Sequence, residues 1–293
     1  MAEGKRDIWA EWLLHRRFGC DPDQQRQWME ELRQVRDKVL ANARINAGKT
    51  LLDVGAGDGL IAFGAIAWVG DQVQIIFSDV SQDLLDHSRA VAEQMGVAGQ
   101  IQFVRAAAEE LWPIADASVD VVTTRSVLIY VAEKQRAFDE FFRVLRPGGR
   151  ISLFEPINRF NAFEPPDRLW GLDVSPVQDI VAKVRTLYQR LQPLNDDPML
   201  NFDERDLLAF AEHAGFPERH LEYRVDIEPR KPQRWETYLN SSGNPRIPTL
   251  AEAMAEVLSP AERERYEAHL RPRVEQGRGT TSSAIAYLWA AKR

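Results

Sequence analysis

From residue 50 the chain alternates short β-rich apolar runs with helical stretches, and that alternation restricts it to a parallel sheet covered by helices. The runs are TLLDV (50–54), QIIFSDV (74–80), IQFVRA (101–106), VDVVTTRS (119–126) and RISLFEP (150–156). Between them LIAFGAIAWV (60–69), SQDLLDHSRAVAEQMG (81–96) and EKQRAFDEFFRVL (133–145) carry helical spacing. Ser81 is expected to cap the second of these and Gly96 to end it, while RPGGR (146–150) reads as a turn feeding the fifth strand. RHLEYRVDI (219–227) and SSAIAYLWAAK (282–292) add a sixth and a seventh strand. The expected fold class is α/β, a doubly wound seven-stranded sheet.

Three segments interrupt or precede this core. Residues 1–48 read as an N-terminal helical cap with Trp9, Trp12 and Trp28 as apolar anchors, which either complete a core or form an aromatic cage. Residues 49–293 form the main domain. Within it, residues 160–193 read as a lid whose helix buries Val177, Ile180, Val181, Val184, Leu187, Tyr188 and Leu191. Residues 229–279 read as a helical insertion, because Thr249 with Glu252, and Ser259 with Glu262 behind Pro260, are capping boxes.

A net charge of −7 and a pI near 5.4 leave no cationic footprint for a polyanion, so nucleic acid is not an expected partner. Cys20 is the one cysteine, which rules out an internal disulfide and a cysteine-built zinc site. No metal is expected. The first residues lack a signal-peptide core and no apolar run is long enough to span a bilayer, so the expectation is a soluble, cytoplasmic protein without membrane contact. Oligomeric state is left open.

The stretch LLDVGAGDGL (51–60) sets three glycines, Gly55, Gly57 and Gly59, behind the first strand. In a doubly wound sheet ligands sit beyond the carboxyl ends of the strands at the switch point, and bare backbone there lets a ligand approach closely. A dinucleotide fingerprint would put its third glycine at position 60, where this chain has Leu60. An NAD-dependent dehydrogenase is therefore the weaker rival. Asp79, ending the second strand, is placed to accept from both hydroxyls of a ribose.

An acidic first strand, G-x-G-x-G, an acid ending strand two and LRPGG before strand five together resemble the class I S-adenosylmethionine-dependent methyltransferases. The matching segments are LLDVGAGDG, IIFSDVS, FVRAAAEEL, VDVVTTRSVLIYV and VLRPGGRISLFEP, about residues 50–156. The resemblance implies a Rossmann-like methyltransferase sheet and S-adenosyl-L-methionine as cofactor. It implies that Asp53, Gly55, Ala56 and Gly57 surround the methionine part and that Asp79 and Val80 hold ribose and adenine. It further implies that Ala107, Ala108 and Glu109 flank the adenine, and that Arg125 presents its backbone carbonyl to the amino-acid end. Many members carry Asp where this chain has Ala107, so the adenine amino group needs another acceptor here.

Methyl transfer asks mainly for orientation and a dry pocket. If a base is used, His15, Tyr130 and Glu155 are the candidates by position; the alternatives are a surface or packing histidine, a packing tyrosine and a loop salt bridge. One of Arg16 and Arg17 could meet the cofactor carboxylate. Phe160, Phe163 and Trp170 suggest an enclosed pocket for a small organic acceptor, with oxygen the first choice of acceptor atom and nitrogen and carbon open. A methyltransferase-like binding module without catalysis is the other alternative.

Overall fold

The computed structural model describes residues 7–17, 19 and 21–293; Cys20 lies outside them. α1 (Ile8–Glu11) runs into a π-helical turn (Trp12–Arg16) and is followed by the long α2 (Pro22–Ala43). The expected alternation then appears in order: β1 (Thr50–Val54), α3 (Leu60–Val69), β2 (Gln74–Asp79), α4 (Gln82–Gln94), β3 (Ile101–Arg105), β4 (Val119–Arg125), α5 (Lys134–Val144) and β5 (Leu145–Pro156). A short hairpin, β6 (Arg168–Leu169) and β7 (Leu172–Asp173), leads to α6 (Gln178–Leu191), α7 (Glu204–His213) and β8 (Glu218–Pro229). α8 (Trp235–Asn240), α9 (Leu250–Val257) and α10 (Pro260–Glu275) precede the last strand, β9 (Thr280–Ala291).

The main sheet has the order β3-β2-β1-β4-β5-β9-β8. β1 to β5 pair in parallel, and β9 lies antiparallel between β5 and β8. The strand order reverses between β1 and β4, which opens a crevice at their carboxyl ends. The sequence-derived α/β, doubly wound, seven-stranded class holds. The RPGG segment differs from expectation: it is absorbed into β5 as an irregularity. Val119 pairs with Leu145 and Val121 with Arg150, five positions on β5 against two on β4. Gly148, at φ +81°, permits the excursion, and its N–H donates to the Lys292 carbonyl, tying it to the end of the chain.

Local chemistry explains the helices that border the crevice. The Ser81 hydroxyl accepts from the Leu84 N–H at 3.0 Å, starting α4, and Gly96 at φ +73° ends it. α3 is apolar nearly all round because α2 covers its outer side. A Cβ on Gly64, in the middle of α3, would stand 2.3 Å from Arg36 Cδ of α2. α2 accordingly buries Val39, Leu40 and Ala43 in the same cluster as Ile61, Ala65 and Phe77. Most of the segment 1–48 that is described therefore covers the sheet, while its first part and Trp28 of α2 turn toward the crevice.

The segment 160–193 packs elsewhere. Val177, Ile180, Val181, Val184 and Leu187 join Trp235, Tyr266 and Leu270 in a second apolar cluster built with α8 to α10. Phe160, Phe163 and Trp170 stay partly exposed, and none of the three lines the crevice. Both expected capping boxes are present, on α9 and α10, and a third, Asp203 with Asp206, opens α7.

Candidate active site

The crevice is a cavity of about 650 Å³ at the carboxyl ends of β1, β2 and β4. Its floor is the glycine loop. Gly55, Gly57 and Gly59 all have φ between +56° and +82°, a region that side chains other than glycine enter at a cost of about 1–2 kcal/mol. Space is equally tight: a Cβ on Gly55 would meet Val127 Cγ2 at 2.4 Å, and one on Gly59 would meet Phe63 at 2.4 Å. The loop must be bare for the chain to turn here, and Gly55 and Gly57 line the cavity.

Asp79 lies at one side of this floor, 6% exposed and lining the cavity. Its two oxygens accept from the backbone N–H groups of Gly57 and Ser81, each at 2.9 Å. One carboxylate thus holds the glycine loop to the start of α4 while keeping lone pairs for a ligand. Burial pushes its carboxyl up against these bonds, and the nearby Asp7 adds to the rise. Val80, Ala107, Ala108 and Glu109 continue this wall.

Asp53 departs from the expected pattern. It is 2% exposed and does not line the cavity. Its oxygens accept from Thr123 Oγ1 at 2.8 Å and from the Ala62 N–H at 3.2 Å, so the carboxylate clamps β1 to β4 and to the first turn of α3 beneath the loop. Burial pushes it up to about 7. Ala56 is likewise packed away, its N–H donating to the Ser78 carbonyl.

Three guanidiniums line the cavity: Arg17, Arg125 and Arg246. Arg17 comes from the N-terminal segment and Arg246 from the loop between α8 and α9. Arg17 lies 5.1 Å over the Trp12 ring and Arg246 5.2 Å over the Trp9 ring. Trp9 and Trp12 meet Tyr130 edge-on, with centroids 4.9 and 6.1 Å away. Arg17 is held down to about 10, chiefly by burial and then by Arg125. Arg125 also favours the charged form of Asp53, and Asp58 of the glycine loop favours that of Arg17, so both guanidiniums lie within electrostatic reach of the loop.

The N-terminal segment is fastened over this space at both ends. Asp7 accepts from Ser81 Oγ at 2.6 Å, and its own N–H donates to Asp83 at 2.7 Å. Trp12 Nε1 donates to the Ser242 carbonyl at 2.7 Å, and Arg16 makes a two-pronged bond with Glu252 at 2.9 and 3.0 Å. Of the two adjacent arginines, Arg16 is thus engaged with α9 and Arg17 faces inward.

The three candidate bases separate. Tyr130 lines the cavity, and burial pushes its hydroxyl up to about 12, away from a role as base. His15 is exposed and outside the lining, because the π-turn directs Trp12, Leu13 and Arg17 inward. Glu155 is fully buried beneath the site: its carboxylate accepts from the N–H groups of Val127, Leu128 and Ile129 at 3.0, 3.0 and 3.3 Å. It caps the helical turn Leu128–Tyr130 that carries Tyr130. Burial pushes it up to about 7, opposed by those three bonds and by Lys134.

Leu13, Val127, Asn158, Met199 and Arg246 also line the cavity and were not singled out in the sequence. Asn158 has a buried amide nitrogen that meets no hydrogen-bond partner among the described residues. Among those residues no cluster of three His, Cys, Asp or Glu side chains is arranged to hold a metal, and no helix is long and apolar enough to cross a membrane.

A backbone cradle of glycines, a buried acid beside it and arginines in the same lining fit the adenosine and amino-acid ends of S-adenosylmethionine. Comparison with known proteins agrees. The model of the ubiE/COQ5 methyltransferase family matches residues 26–224, more than half of the chain. The ubiquinone/menaquinone biosynthesis C-methyltransferase UbiE of Haemophilus ducreyi is 29% identical over 182 residues, covering 59% of this chain and 66% of that protein. The UbiE protein of Escherichia fergusonii is 32% identical over 179 residues, covering 59% and 68%. The chain spans about two thirds of the length of these relatives. In fold it resembles a geranyl diphosphate methyltransferase solved in complex with SAM, with TM-score 0.51, 15% identity and coverage of 89% of this chain and 85% of that one.

Proposed function

The chain belongs to the ubiE/COQ5 methyltransferase family, and from that premise we propose that it methylates a small organic acceptor at a carbon atom, using S-adenosyl-L-methionine. The observation that carries the reading is the make-up of the cavity lining, which brings bare glycine backbone and Asp79 together with Arg17, Arg125 and an aromatic surface. The first choice of oxygen as acceptor atom is not supported, because the relatives of known description are C-methyltransferases.

When bound, S-adenosylmethionine supplies an electrophilic methyl group on a sulfonium. Asp79 would accept from the ribose hydroxyls, with Val80, Ala107, Ala108 and Glu109 along the adenosine. Gly55 and Gly57 would admit the methionine part, and Arg17 with Arg125 would hold its carboxylate in charge-assisted bonds. Asp53 would act from beneath, by fixing the loop. Trp9, Trp12 and Tyr130 would cover the acceptor, excluding water and aligning its ring for in-line attack.

Carbon is nucleophilic when an adjacent ring oxygen carries negative charge, and cations along the wall favour that ionised form. The ring carbon would give its electron pair to the methyl as the methyl–sulfur bond breaks and its electrons return to sulfur, leaving S-adenosylhomocysteine, and the proton on that carbon would then pass to the ring oxygen or to water, restoring the aromatic system. Neither step requires a strong base on the protein, which accords with a Tyr130 held protonated and a Glu155 held away from the cavity.

Calorimetry with S-adenosylhomocysteine tests the cofactor half. Asp79→Ala is expected to weaken binding by roughly 1.5–3 kcal/mol, about tenfold or more, for loss of a charged acceptor. Heat from NAD alone, or unchanged affinity of the variant, would contradict it. The acceptor half is tested by NMR of the product formed from electron-rich phenols and 13C-methyl-labelled cofactor, where a methoxy signal in place of a ring methyl would exclude carbon as the site.

A further inference from the structure

The turn of chain after β4 supplies five residues of the cavity lining, Ser126, Val127, Ile129, Tyr130 and Val131. Leu128, among them, is fully buried and anchors the turn in the core. The turn touches both halves of the site. Val127 packs on the glycine loop, with Cγ2 within 2.4 Å of where a Cβ on Gly55 would stand. Tyr130 meets Trp9 and Trp12 of the N-terminal segment edge-on.

This turn is strained and is held from beneath. Ser126 has φ +55°, a left-handed conformation that costs a residue other than glycine about 1–2 kcal/mol. Such strain persists only where the surroundings over-determine it. Here the Ser126 N–H donates to the Phe154 carbonyl at 2.8 Å, and the N–H groups of Val127, Leu128 and Ile129 all donate to Glu155, the next residue of β5. Glu155 does not line the cavity, so it acts on the site only through the turn.

Its two carboxylate oxygens are not equivalent. Oε1 accepts from Val127 and Leu128, both at 3.0 Å, whereas Oε2 accepts only from Ile129, at 3.3 Å. A proton on the carboxyl therefore belongs on Oε2, where it disturbs the weaker bond, and the N–H so loosened is that of the residue beside Tyr130. Val127, and with it the contact on Gly55, keeps its acceptor. Burial pushes Glu155 up to about 7, opposed by the three N–H groups and by Lys134 of α5, so both forms are within reach of neutral pH. Lys134 is faced in turn by Asp197 and Asp206, and Tyr130 by Arg17, Arg125 and Arg246.

We propose that Glu155 is a positioning residue for methyl transfer: as a carboxylate it fixes Tyr130 against the acceptor through the Ile129 N–H, and on taking a proton it releases Tyr130 while leaving the glycine loop in place. The link to methyl transfer rests on the reading above, in which Tyr130 covers the acceptor.

The test uses the full chain labelled with 3-fluorotyrosine, where Tyr130→Phe identifies the Tyr130 signal among the six tyrosines. In 19F NMR between about pH 5 and 8 that signal should move in one step centred near the Glu155 value of about 7. Glu155→Gln sets an NH2 group against the Ile129 N–H and keeps one oxygen for Val127 and Leu128. The step should vanish, and affinity for S-adenosylhomocysteine by calorimetry should stay within about twofold of the parent. Glu155→Asp should keep a step with a displaced midpoint, and His15→Gln should leave the step unchanged, although histidines titrate in this window. Ring methylation of resorcinol should rise with pH through the same step in the parent, below the ionisation of a phenol, and should be about tenfold slower and without that rise in Glu155→Gln. A Tyr130 signal that does not titrate in the parent, a step that survives in Glu155→Gln or keeps its midpoint in Glu155→Asp, or a loss of S-adenosylhomocysteine affinity as large as the loss of rate would overturn the proposal. If S-adenosylhomocysteine does not bind while the Tyr130 step depends on Glu155, the methyltransferase reading falls and the positioning of Tyr130 stands.

Discussion

Gly55→Ala isolates the physical reason for the glycine loop. At φ +62° an alanine costs about 1–2 kcal/mol in the left-handed region. Its Cβ would also stand 2.4 Å from Val127 Cγ2 and 3.2 Å from Cγ1, and a β-branched side chain has little rotamer freedom to yield. Overpacking of that kind costs about 1–3 kcal/mol, so the variant should lose roughly 2–5 kcal/mol in all, a fall of roughly 4–10 °C in Tm for a chain of this length. The two contributions can be separated. Val127→Ala removes both methyls and leaves only Val127 Cβ, 3.4 Å from the new atom, an ordinary contact. In the double variant the overlap should vanish while the backbone cost remains, giving a favourable coupling of about 1–3 kcal/mol. Urea unfolding of the parent, both single variants and the double variant measures it. Additive losses would show that Val127 does not constrain the loop, and a fully stable Gly55→Ala would refute the backbone argument as well.

Glu155→Gln probes the buried cap. Because burial raises the folded-state pKa from the ordinary 4.5 to about 7, the stability contributed by Glu155 is fully present below about pH 4.5 and lost as pH rises through about 7. The advantage of the parent over Glu155→Gln should therefore shrink by up to about 3 kcal/mol across that window in thermal unfolding at stepped pH, and a difference independent of pH would remove the linkage. Trp12→Phe, which leaves the buried Ser242 carbonyl without its donor, should destabilise by about 1–3 kcal/mol. Arg16→Gln, breaking a pair whose partners are 42% and 53% exposed, should cost less than about 1 kcal/mol. The reverse ranking in urea unfolding would mean that the ion pair, not the indole, fastens the N-terminal segment.

The inner half of the site was legible because its residues owe their positions to local rules. Gly55, Gly57 and Asp79 lie at strand ends, and a strand of known direction in a doubly wound sheet delivers its last residue to the crevice. Asp53 shows where such reasoning stops. It belongs to the same strand, two residues before Gly55, yet its carboxylate serves Thr123 and the Ala62 N–H, partners 70 and 9 residues away that strand position alone does not reveal. Glu155 marks the same boundary, since an acid near the carboxyl end of a strand reads as a base until three backbone donors are seen to surround it.

The outer half was legible only as composition. Trp9, Trp12 and Trp28, with Arg16 and Arg17, stood out in the N-terminal segment, but the same pattern suited a core, a cage or a cap. What decides among them is docking at long range: Asp7 to Ser81, Trp12 to Ser242 and Arg16 to Glu252, separated by 74, 230 and 236 residues. The segment 160–193 shows the same limit. Its amphipathic helix had an apolar face without an address, and that face found α8 to α10 rather than the cavity. Most residues proposed to hold the cofactor thus lie in the parallel half of the sheet, where chain order and spatial order are linked, and Arg17 of the N-terminal segment is the exception. Arg246, Asn158 and the tryptophans come from three separate parts of the chain, and only the folded protein brings them to one cavity. A change of acceptor could accordingly be made in those residues without disturbing the glycine loop, and the binding of S-adenosylhomocysteine to Arg246→Gln measures that independence directly.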